Sequence, residues 1–169
     1  MALQSVYKLD ETSLNLPIFY SKGFTCGTFD LLHAGHILLL QYAKSKCNYL
    51  IVGLQVDPSV DRPEKNKPIQ SLYERQLQLE ACRYVDQIIV YQTERDLELL
   101  CSSLHLDIRF LGEEYKNKNF TGKQILLKRN PDFTFEYVDR SPIEGKPFFQ
   151  LAPKTCLYKP KSKRRAATY

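Results

Sequence analysis

Two of the three histidines in the chain, His33 and His36, lie three residues apart in the segment GTFDLLHAGH, residues 27–36. A short apolar run precedes Gly27 and a strongly apolar helical pattern follows His36, which predicts a strand end, a turn and the first turn of a helix. The start of a helix presents unpaired N–H groups and the positive end of the helix dipole, and a glycine lets the backbone approach an anion closely. A spacing of three places both imidazoles on one helix face. The segment therefore predicts a phosphate-binding site with two imidazole donors.

Two other interpretations of the histidine pair remain open. Both rings could be core histidines whose nitrogens are satisfied by backbone groups. The pair could also supply two ligands of a metal site, for which Asp30 is the only Cys, Asp or Glu at a matching spacing. The surroundings of the two rings in the folded chain decide among the three interpretations.

Strands and helices are predicted to alternate along the chain. The predicted strands are Lys22–Cys26, Tyr49–Gln55, Gln87–Tyr91, Asp107–Leu111 and Phe133–Val138, and the predicted helices run from Leu32 to about Cys47, from the Ser71 cap past Leu79, from Glu94 to Leu104 and around Lys123–Lys128. The first helix is apolar on nearly every side, which predicts a buried helix. Ser71 with Glu74 has the pattern of a capping box, and Thr93 is a predicted cap of the third helix. The alternation predicts an α/β protein, a single Rossmann-like doubly wound domain with a five-stranded parallel sheet.

Four polar segments follow predicted strands. They are GTFD at 27–30, the connection at 56–70, GEEY at 112–115 and VDRS at 138–141. Because the carboxyl ends of parallel strands meet at one edge of the sheet, these segments should lie around one ligand-binding crevice. The connection at 56–70 is long and contains three prolines. It is therefore predicted to act as a lid or as a substrate-binding element.

GTFDLLHAGH resembles the signature of a nucleotidyltransferase superfamily, in which a G-[ST]-F-D strand end is followed by H-x-G-H. The resemblance runs over roughly residues 22–140, and RYVD at 83–86 is similar to a block of the cytidylyltransferase branch. It implies transfer of CMP from CTP to a small phosphorylated alcohol such as glycerol 3-phosphate, with release of pyrophosphate. It further implies a homodimer, and Mg²⁺ as a cofactor that the triphosphate carries, with no metal ligand from the protein.

The resemblance also implies roles for particular residues. His33, His36 and Lys67 would be catalytic, Lys65 and Arg83 would bind the acceptor phosphate, and Gly27, Thr28, Phe29, Gly35, Gly112, Glu113, Arg140 and Ser141 would bind the nucleotide. Tyr84 and Asp86 are predicted to be structural. The two lysines could instead belong to a solvated charged loop, and Arg83 could form a buried ion pair unrelated to a ligand.

The end of the chain departs from the pattern of the cytidylyltransferases. In those enzymes a cluster of Ser and Thr residues at the start of a final helix binds the triphosphate. Here Pro142 follows Ser141, and residues 143–160 have neither a hydroxyl cluster nor a helical period. Two alternatives to the cytidylyltransferase therefore remain. One is an adenylyltransferase that uses ATP on a sugar phosphate, because residues 112–122 are similar to those proteins. The other is a nucleotide-binding scaffold without catalysis.

Length and composition restrict the class of protein. A chain of 169 residues with 43% hydrophobic and 25% charged residues is typical of one globular domain, predicted here over residues 21–141 between a leader, 1–20, and a divergent basic tail, 142–169. Seven Lys and Arg residues follow Glu144 with no acid among them, so the rest of the chain has a formal charge of −2 instead of +5. This distribution predicts no nucleic-acid partner beyond weak attraction to the tail.

Cysteine usage and hydropathy predict the compartment. The five cysteines are widely spaced and form no C-x-x-C pair, which is typical of reduced thiols in a cytosol. No apolar run approaches the ~18 residues that span a bilayer, and the first residues lack the pattern of a secretory signal. The sequence therefore predicts a cytoplasmic protein without a membrane partner.

Overall fold

The computed structural model describes residues 21–139. Its sheet has five parallel strands in the order β3-β2-β1-β4-β5. The strands are β1 (Lys22–Gly27), β2 (Tyr49–Gln55), β3 (Gln87–Tyr91), β4 (Ile108–Gly112) and β5 (Thr134–Val138). The predicted fold class is therefore confirmed. The predictions for the leader, the tail, Arg140 and Ser141 lie outside the described residues.

Four α-helices connect the strands. They are α1 (Ala34–Lys46), α2 (Leu72–Glu80), α3 (Glu94–Ser103) and α4 (Lys123–Arg129), and single 3₁₀ turns follow β2 at Pro58–Val60 and β4 at Glu113–Tyr115. The predicted caps are confirmed, because the Ser71 side chain accepts from the Glu74 N–H and the Thr93 side chain accepts from the Asp96 N–H. None of the helices in residues 21–139 is both long and apolar enough to cross a bilayer.

The helices cover both faces of the sheet. One buried cluster joins α1 and α2 to the sheet through Leu40, Leu79 and Val52, and a second joins α3 and α4 to the opposite face through Leu97 and Leu126. Successive strand residues point to opposite faces, so neighbours such as Ile51 and Val52 enter different clusters. The doubly wound arrangement thus follows from apolar strands that are covered on both sides.

Helix α1 corrects the expectation of a fully buried helix. Leu39, Leu40 and Ala43 are buried against the sheet, whereas Gln41 and Ser45 are exposed. A helix that covers one face of a sheet has only one side to bury, so Ile37, Leu38 and Tyr42 are half-buried at the edges of the contact.

The strands β1 and β4 separate at their carboxyl ends. Their ladder pairs Gly23 with Ile108 and Phe24 with Arg109, whereas the ladder between β1 and β2 continues to Gly27. Because the chain crosses over in opposite directions on the two sides of β1, this gap is the topological switch point, where doubly wound sheets bind ligands.

Candidate functional site

A cavity of about 1000 Å³ lies beyond the carboxyl ends of β1 to β4. Its walls include residues of the segment 27–36, the connection 56–70, the start of α3 and residues 112–121. Three of the four polar segments singled out in the sequence therefore meet at one crevice. The fourth, VDRS, continues beyond residue 139 and is described only in part.

His33 and His36 form the N-terminal cap of α1. The His33 Nδ1 accepts a hydrogen bond from the Gly35 N–H at 3.1 Å, and the His36 Nδ1 accepts from the His33 N–H at 3.4 Å. The two rings stack with their centroids 4.0 Å apart, and both line the cavity. An imidazole whose Nδ1 accepts carries its proton on Nε2. The capping geometry therefore makes each Nε2 a donor, as an anion-binding site at a helix start requires.

The turn between β1 and α1 is held in an unusual backbone conformation. Phe29 and Leu31 have φ angles of 49° and 48°, a left-handed region that residues with side chains rarely adopt. The Asp30 carboxylate accepts from the N–H groups of Ile69 and Gln70 at 2.8 and 2.9 Å, and the Gln70 side chain accepts from the Leu31 N–H. The hydrogen bonds from the end of the 56–70 connection thus hold the turn in its left-handed conformation. A strained backbone conformation persists only where the surrounding structure holds it in this way.

These contacts bear on the metal interpretation of the histidine pair. Both Asp30 oxygens bind backbone N–H groups, and residues 21–139 contain no group of three or more His, Cys, Asp or Glu side chains that could hold a metal ion. The donor set of the described residues therefore does not fit a metal held by protein ligands alone.

The Arg75 side chain stabilises the same turn through hydrogen bonds to backbone carbonyls. This side chain of α2 is 1% exposed, and its guanidinium donates to the carbonyls of Thr28, Gln55 and Val56 at 2.6–2.8 Å, and to that of Gln70 at 3.2 Å. Burial lowers the pKa of Arg75, and the carboxylates of Asp30 and Asp57 oppose that shift. The guanidinium therefore joins the GTFD turn to the end of β2 and to the start of α2. The sequence analysis did not identify Arg75 as part of the site. An arginine between Leu72 and Leu79, on the apolar face of α2, nevertheless indicated that this side chain is buried.

Arg109 braces the opposite wall. It is 2% exposed on β4, and it donates to the Cys26 sulfur at 3.3 Å and to the Thr121 carbonyl at 2.5 Å. Its guanidinium lies over the rings of Phe24 and Phe120, 5.7 and 5.2 Å from their centroids. The strand β4 thereby fixes the loop that leads into α4. The sequence analysis did not identify Arg109 either, although a charged residue inside the apolar run DIRFL indicated a buried arginine.

Most of the predicted site residues meet at the cavity. Seven of them line it, namely Gly27, Thr28, Phe29, His33, His36, Lys65 and Gly112. Gly35 is buried within the first turn of α1, where its N–H donates to the His33 Nδ1. Glu113 is exposed outside the lining, and the neighbouring Glu114 lines the cavity instead.

Two predicted cations lie outside the cavity lining. Lys67 is exposed on the connection 56–70, where its charge adds to the effect of the Ser59 hydrogen bonds in lowering the pKa of Asp57. Arg83 is exposed over the Tyr84 ring, 5.7 Å from its centroid, so the alternative of a buried ion pair for Arg83 is wrong. The prediction of a structural Asp86 is confirmed, because its carboxylate binds Lys44 and the Leu50 N–H.

All four cysteines within the described residues are free thiols, as predicted, and Cys47 and Cys101 are buried. Burial raises the pKa of Cys101 to about 11, so this thiol stays protonated at neutral pH.

A doubly wound sheet with two imidazole donors and a glycine turn at its switch point defines a nucleotide-binding α/β protein. The sequence model of the cytidylyltransferase-like family matches residues 24–140, and the chain belongs to this family.

Curated relatives include the bifunctional protein HldE of Campylobacter jejuni subsp. jejuni serotype O:6, 40% identical over 106 residues, and that of Mesorhizobium japonicum, 37% identical over 109 residues. These matches cover 62% and 64% of this chain, and only 23% and 22% of the relatives. The chain thus corresponds to less than a quarter of those bifunctional proteins.

Among solved structures, the chain is similar to a lipopolysaccharide core biosynthesis protein from Thermoplasma volcanium, with a TM-score of 0.56 and 25% identity over 73% of this chain and 98% of that one. A protein of unknown function from Archaeoglobus fulgidus has the same fold, with a TM-score of 0.54 and 17% identity over 72% of this chain and 95% of that one.

Proposed function

We propose that this protein transfers a nucleotidyl group from a nucleoside triphosphate to a small phosphorylated acceptor and releases pyrophosphate. The observation that carries the proposal is the pair of stacked imidazoles at the start of α1, both of which line the cavity and accept capping hydrogen bonds at Nδ1. Membership of the cytidylyltransferase-like family supports the same reaction.

In the proposed reaction an oxygen of the acceptor phosphate attacks the α-phosphorus. A new P–O bond forms, the bond to the bridging oxygen breaks, and its electron pair leaves with pyrophosphate. Negative charge grows on the α-phosphate oxygens and on the leaving oxygen, so the protein has to position the reactants and supply donors. His33, His36 and the N–H groups of Thr28 and Phe29 would supply them at the N-terminus of α1. No covalent protein nucleophile is needed.

The remaining predicted residues, except Arg83, which is exposed outside the cavity lining, have assigned parts in this proposal. Lys65, which lines the cavity, would neutralise the acceptor phosphate, and Lys67 would approach the reacting phosphates through a movement of the connection 56–70. Gly112 lines the cavity and would face the base, whereas Glu113 lies outside the lining and would have to turn towards the base to bind it. Gly35 would allow the α1 N-terminus to approach the phosphates. Arg140 and Ser141 would bind the triphosphate.

Mg²⁺ would arrive with the nucleotide, because the described residues include no group of three protein ligands for it. When bound to the triphosphate, it supplies charge neutralisation. Removal of divalent cations with EDTA should then abolish turnover, and added Mg²⁺ should restore it.

Two donor and acceptor pairs are compatible with the site. CTP with a phosphorylated alcohol such as glycerol 3-phosphate is supported by the RYVD block and by the family match. ATP with a sugar phosphate is supported by the sequence at 112–122 and by the likeness to a lipopolysaccharide core biosynthesis protein. Thermal stabilisation by CTP and by ATP, each with Mg²⁺, separates the two donors, because a ligand that binds the native state raises its melting temperature.

The protein would act in the cytoplasm, where nucleoside triphosphates are available, and as a homodimer. The outer side of α2 exposes Tyr73 and Leu77, at 73% and 51%, and Arg83 is exposed shortly after it. An exposed group of apolar side chains is a feature of protein interfaces. Sedimentation of the wild type and of a Tyr73→Lys variant tests this, since the charge should shift a dimer towards the monomer.

The decisive experiment on the function is pyrophosphate release with CTP or ATP and a panel of phosphorylated alcohols and sugars. Turnover with one donor and one acceptor class supports the proposal. Binding of a nucleotide without turnover on any acceptor would instead identify a scaffold, the class that the unusual chain end also allows.

A further inference from the structure

The cavity wall includes thiol and guanidinium groups to which the proposed reaction assigns no part. Cys26 of β1, Tyr91 of β3 and Arg109 of β4 line the cavity. Cys101 of α3 contacts Arg109 from the core. We call these four residues the Cys26 cluster. The cluster lies on the face of the sheet that α3 and α4 cover, whereas α1 with its two histidines packs on the opposite face.

Arg109 is a buried cation without a carboxylate partner in the part of the chain that the structure describes. It is 2% exposed, and neither of the two ion pairs found there includes it. Its Nε is also buried and forms no hydrogen bond within residues 21–139. A buried charge is costly unless an opposite charge or hydrogen bonds compensate it. The guanidinium therefore favours negative charge on a group that it contacts.

Two thiols contact this guanidinium. The Arg109 Nη2 lies 3.3 Å from the Cys26 sulfur, and the Nη1 lies 3.7 Å from the Cys101 sulfur. Burial by itself lowers the pKa of Arg109, yet that pKa is raised, because the effects of Cys26 and Cys101 exceed that of burial. The positive charge of Arg109 is thus coupled to negative charge on sulfur.

Cys26 is the member of the cluster that a reagent can reach. Burial raises the pKa of Cys101 to about 11, and Cys101 is 0% exposed. Burial also raises the pKa of Tyr91, with a further contribution from Cys26, so the phenol stays protonated. Cys26 is instead half-buried and lines the cavity. A partly exposed thiol beside a guanidinium is in the environment of a reactive cysteine, because the thiolate is the nucleophile.

We propose that Cys26 is a modification site for small alkylating electrophiles, and that an adduct on its sulfur obstructs the cavity. With a haloacetamide, the sulfur attacks the carbon that carries the halogen. The S–C bond forms, the C–halogen bond breaks, its electron pair leaves with the halide ion, and the thiol proton passes to water. Arg109 assists because it stabilises negative charge on the sulfur.

The obstruction follows from the position of Cys26 in the chain. Cys26 directly precedes Gly27 and Thr28, and all three residues line the cavity. An adduct would therefore occupy space in which the nucleotide is proposed to bind. This part of the inference rests on the proposed function, whereas the reactivity of the thiol does not.

The rate of alkylation of each cysteine tests the reactivity. The wild-type protein is treated with iodoacetamide at neutral pH, and peptide mass spectrometry quantifies each modified cysteine. Cys26 should react at least about 10-fold faster than Cys82, since a neighbouring cation favours the thiolate. Cys82 is the matched control, because it is also half-buried and accepts no hydrogen bond from an arginine within residues 21–139. In urea the two rates should become equal, because unfolding separates Arg109 from Cys26.

Substitution of Arg109 tests the part played by its charge. Arg109→Gln should lower the rate at Cys26 to within about threefold of the rate at Cys82, with Cys101 still unreactive. Arg109→Lys keeps a positive charge and should react faster at Cys26 than Arg109→Gln does. A wild-type rate at Cys26 no faster than that at Cys82 would overturn the inference, as would an unchanged or faster rate at Cys26 in Arg109→Gln.

Nucleotide binding tests the obstruction. CTP or ATP with Mg²⁺ should raise the melting temperature of the unmodified protein, and alkylation of Cys26 should abolish that rise. Cys26→Ser, treated with iodoacetamide in the same way, should keep the rise. Stabilisation by a nucleotide that survives complete alkylation of Cys26 would overturn the inference.

The same measurements distinguish the failure of this inference from the failure of the proposed function. Equal alkylation of Cys26 and Cys82 in a protein that a nucleotide stabilises would reject the inference and keep the function. Selective alkylation of Cys26 in a protein that neither nucleotide stabilises would keep the reactive thiol and reject the function.

Discussion

Replacement of Arg75 by methionine should destabilise the protein and disorganise its site together. The buried guanidinium donates four hydrogen bonds to carbonyls of the GTFD turn, the end of β2 and the residue before the Ser71 cap. Methionine fills a similar volume without a donor, so these carbonyls lose their partners. Each buried unpaired group costs about 1–3 kcal/mol, partly offset because a charge no longer has to be buried.

We therefore expect Arg75→Met to lower the free energy of unfolding by about 3–5 kcal/mol, a large part of the ~5–15 kcal/mol of a typical domain. Urea denaturation measures this loss. Because the Thr28 carbonyl loses its anchor, pyrophosphate release should also fall in the fraction of molecules that remains folded.

The matched control is Arg95→Met, which removes an exposed arginine from α3 and should change the unfolding free energy by less than about 0.5 kcal/mol. An Arg75→Met protein within about 1 kcal/mol of the wild type, with unchanged turnover, would refute the reasoning.

Two further substitutions test the packing. Gly122→Ala should cost about 2–4 kcal/mol in urea denaturation, since Gly122 has a φ of 83° and an added Cβ would lie 2.5 Å from the Cys101 sulfur; a loss below 1 kcal/mol would contradict this. Tyr42→Phe removes the hydrogen bond to Glu136 and should cost about 1 kcal/mol. That bond raises the pKa of Tyr42 from 10 to about 12. The stabilisation by the hydrogen bond should therefore be complete below pH 10, decrease above pH 10 and be lost as the pH rises through 12. A difference between Tyr42→Phe and the wild type that stays constant from pH 8 to 11 would contradict it.

The elements of this fold were predictable because their signals are local. The strand Tyr49–Gln55 was predicted at its observed bounds from a continuous apolar run. The caps at Ser71 and Thr93 were predictable because cap and partner lie three residues apart. The position of His33 and His36 at a helix start was predictable for the same reason, and the cavity around them followed from the parallel sheet.

The partners of the supporting side chains were not predictable, because these partners are distant in the sequence. Arg75 binds the Thr28 carbonyl 47 residues away, and Asp30 binds the backbone 39 and 40 residues away. No periodicity or local motif encodes such a pairing. Glu94, whose carboxylate pairs with the Arg62 guanidinium at 2.9 Å on the cavity wall, was not singled out because it immediately follows a predicted cap, where an acidic residue is explained by the helix dipole alone.

The His36→Ala variant tests the central claim most directly, with pyrophosphate release measured under saturating substrates. The account predicts a fall in kcat of about 100-fold or more, as for the loss of one preorganised donor, with the native circular dichroism retained. His105→Ala, which removes the exposed third histidine, should match the wild type. Retention of most of the wild-type kcat in a folded His36→Ala protein would contradict the account.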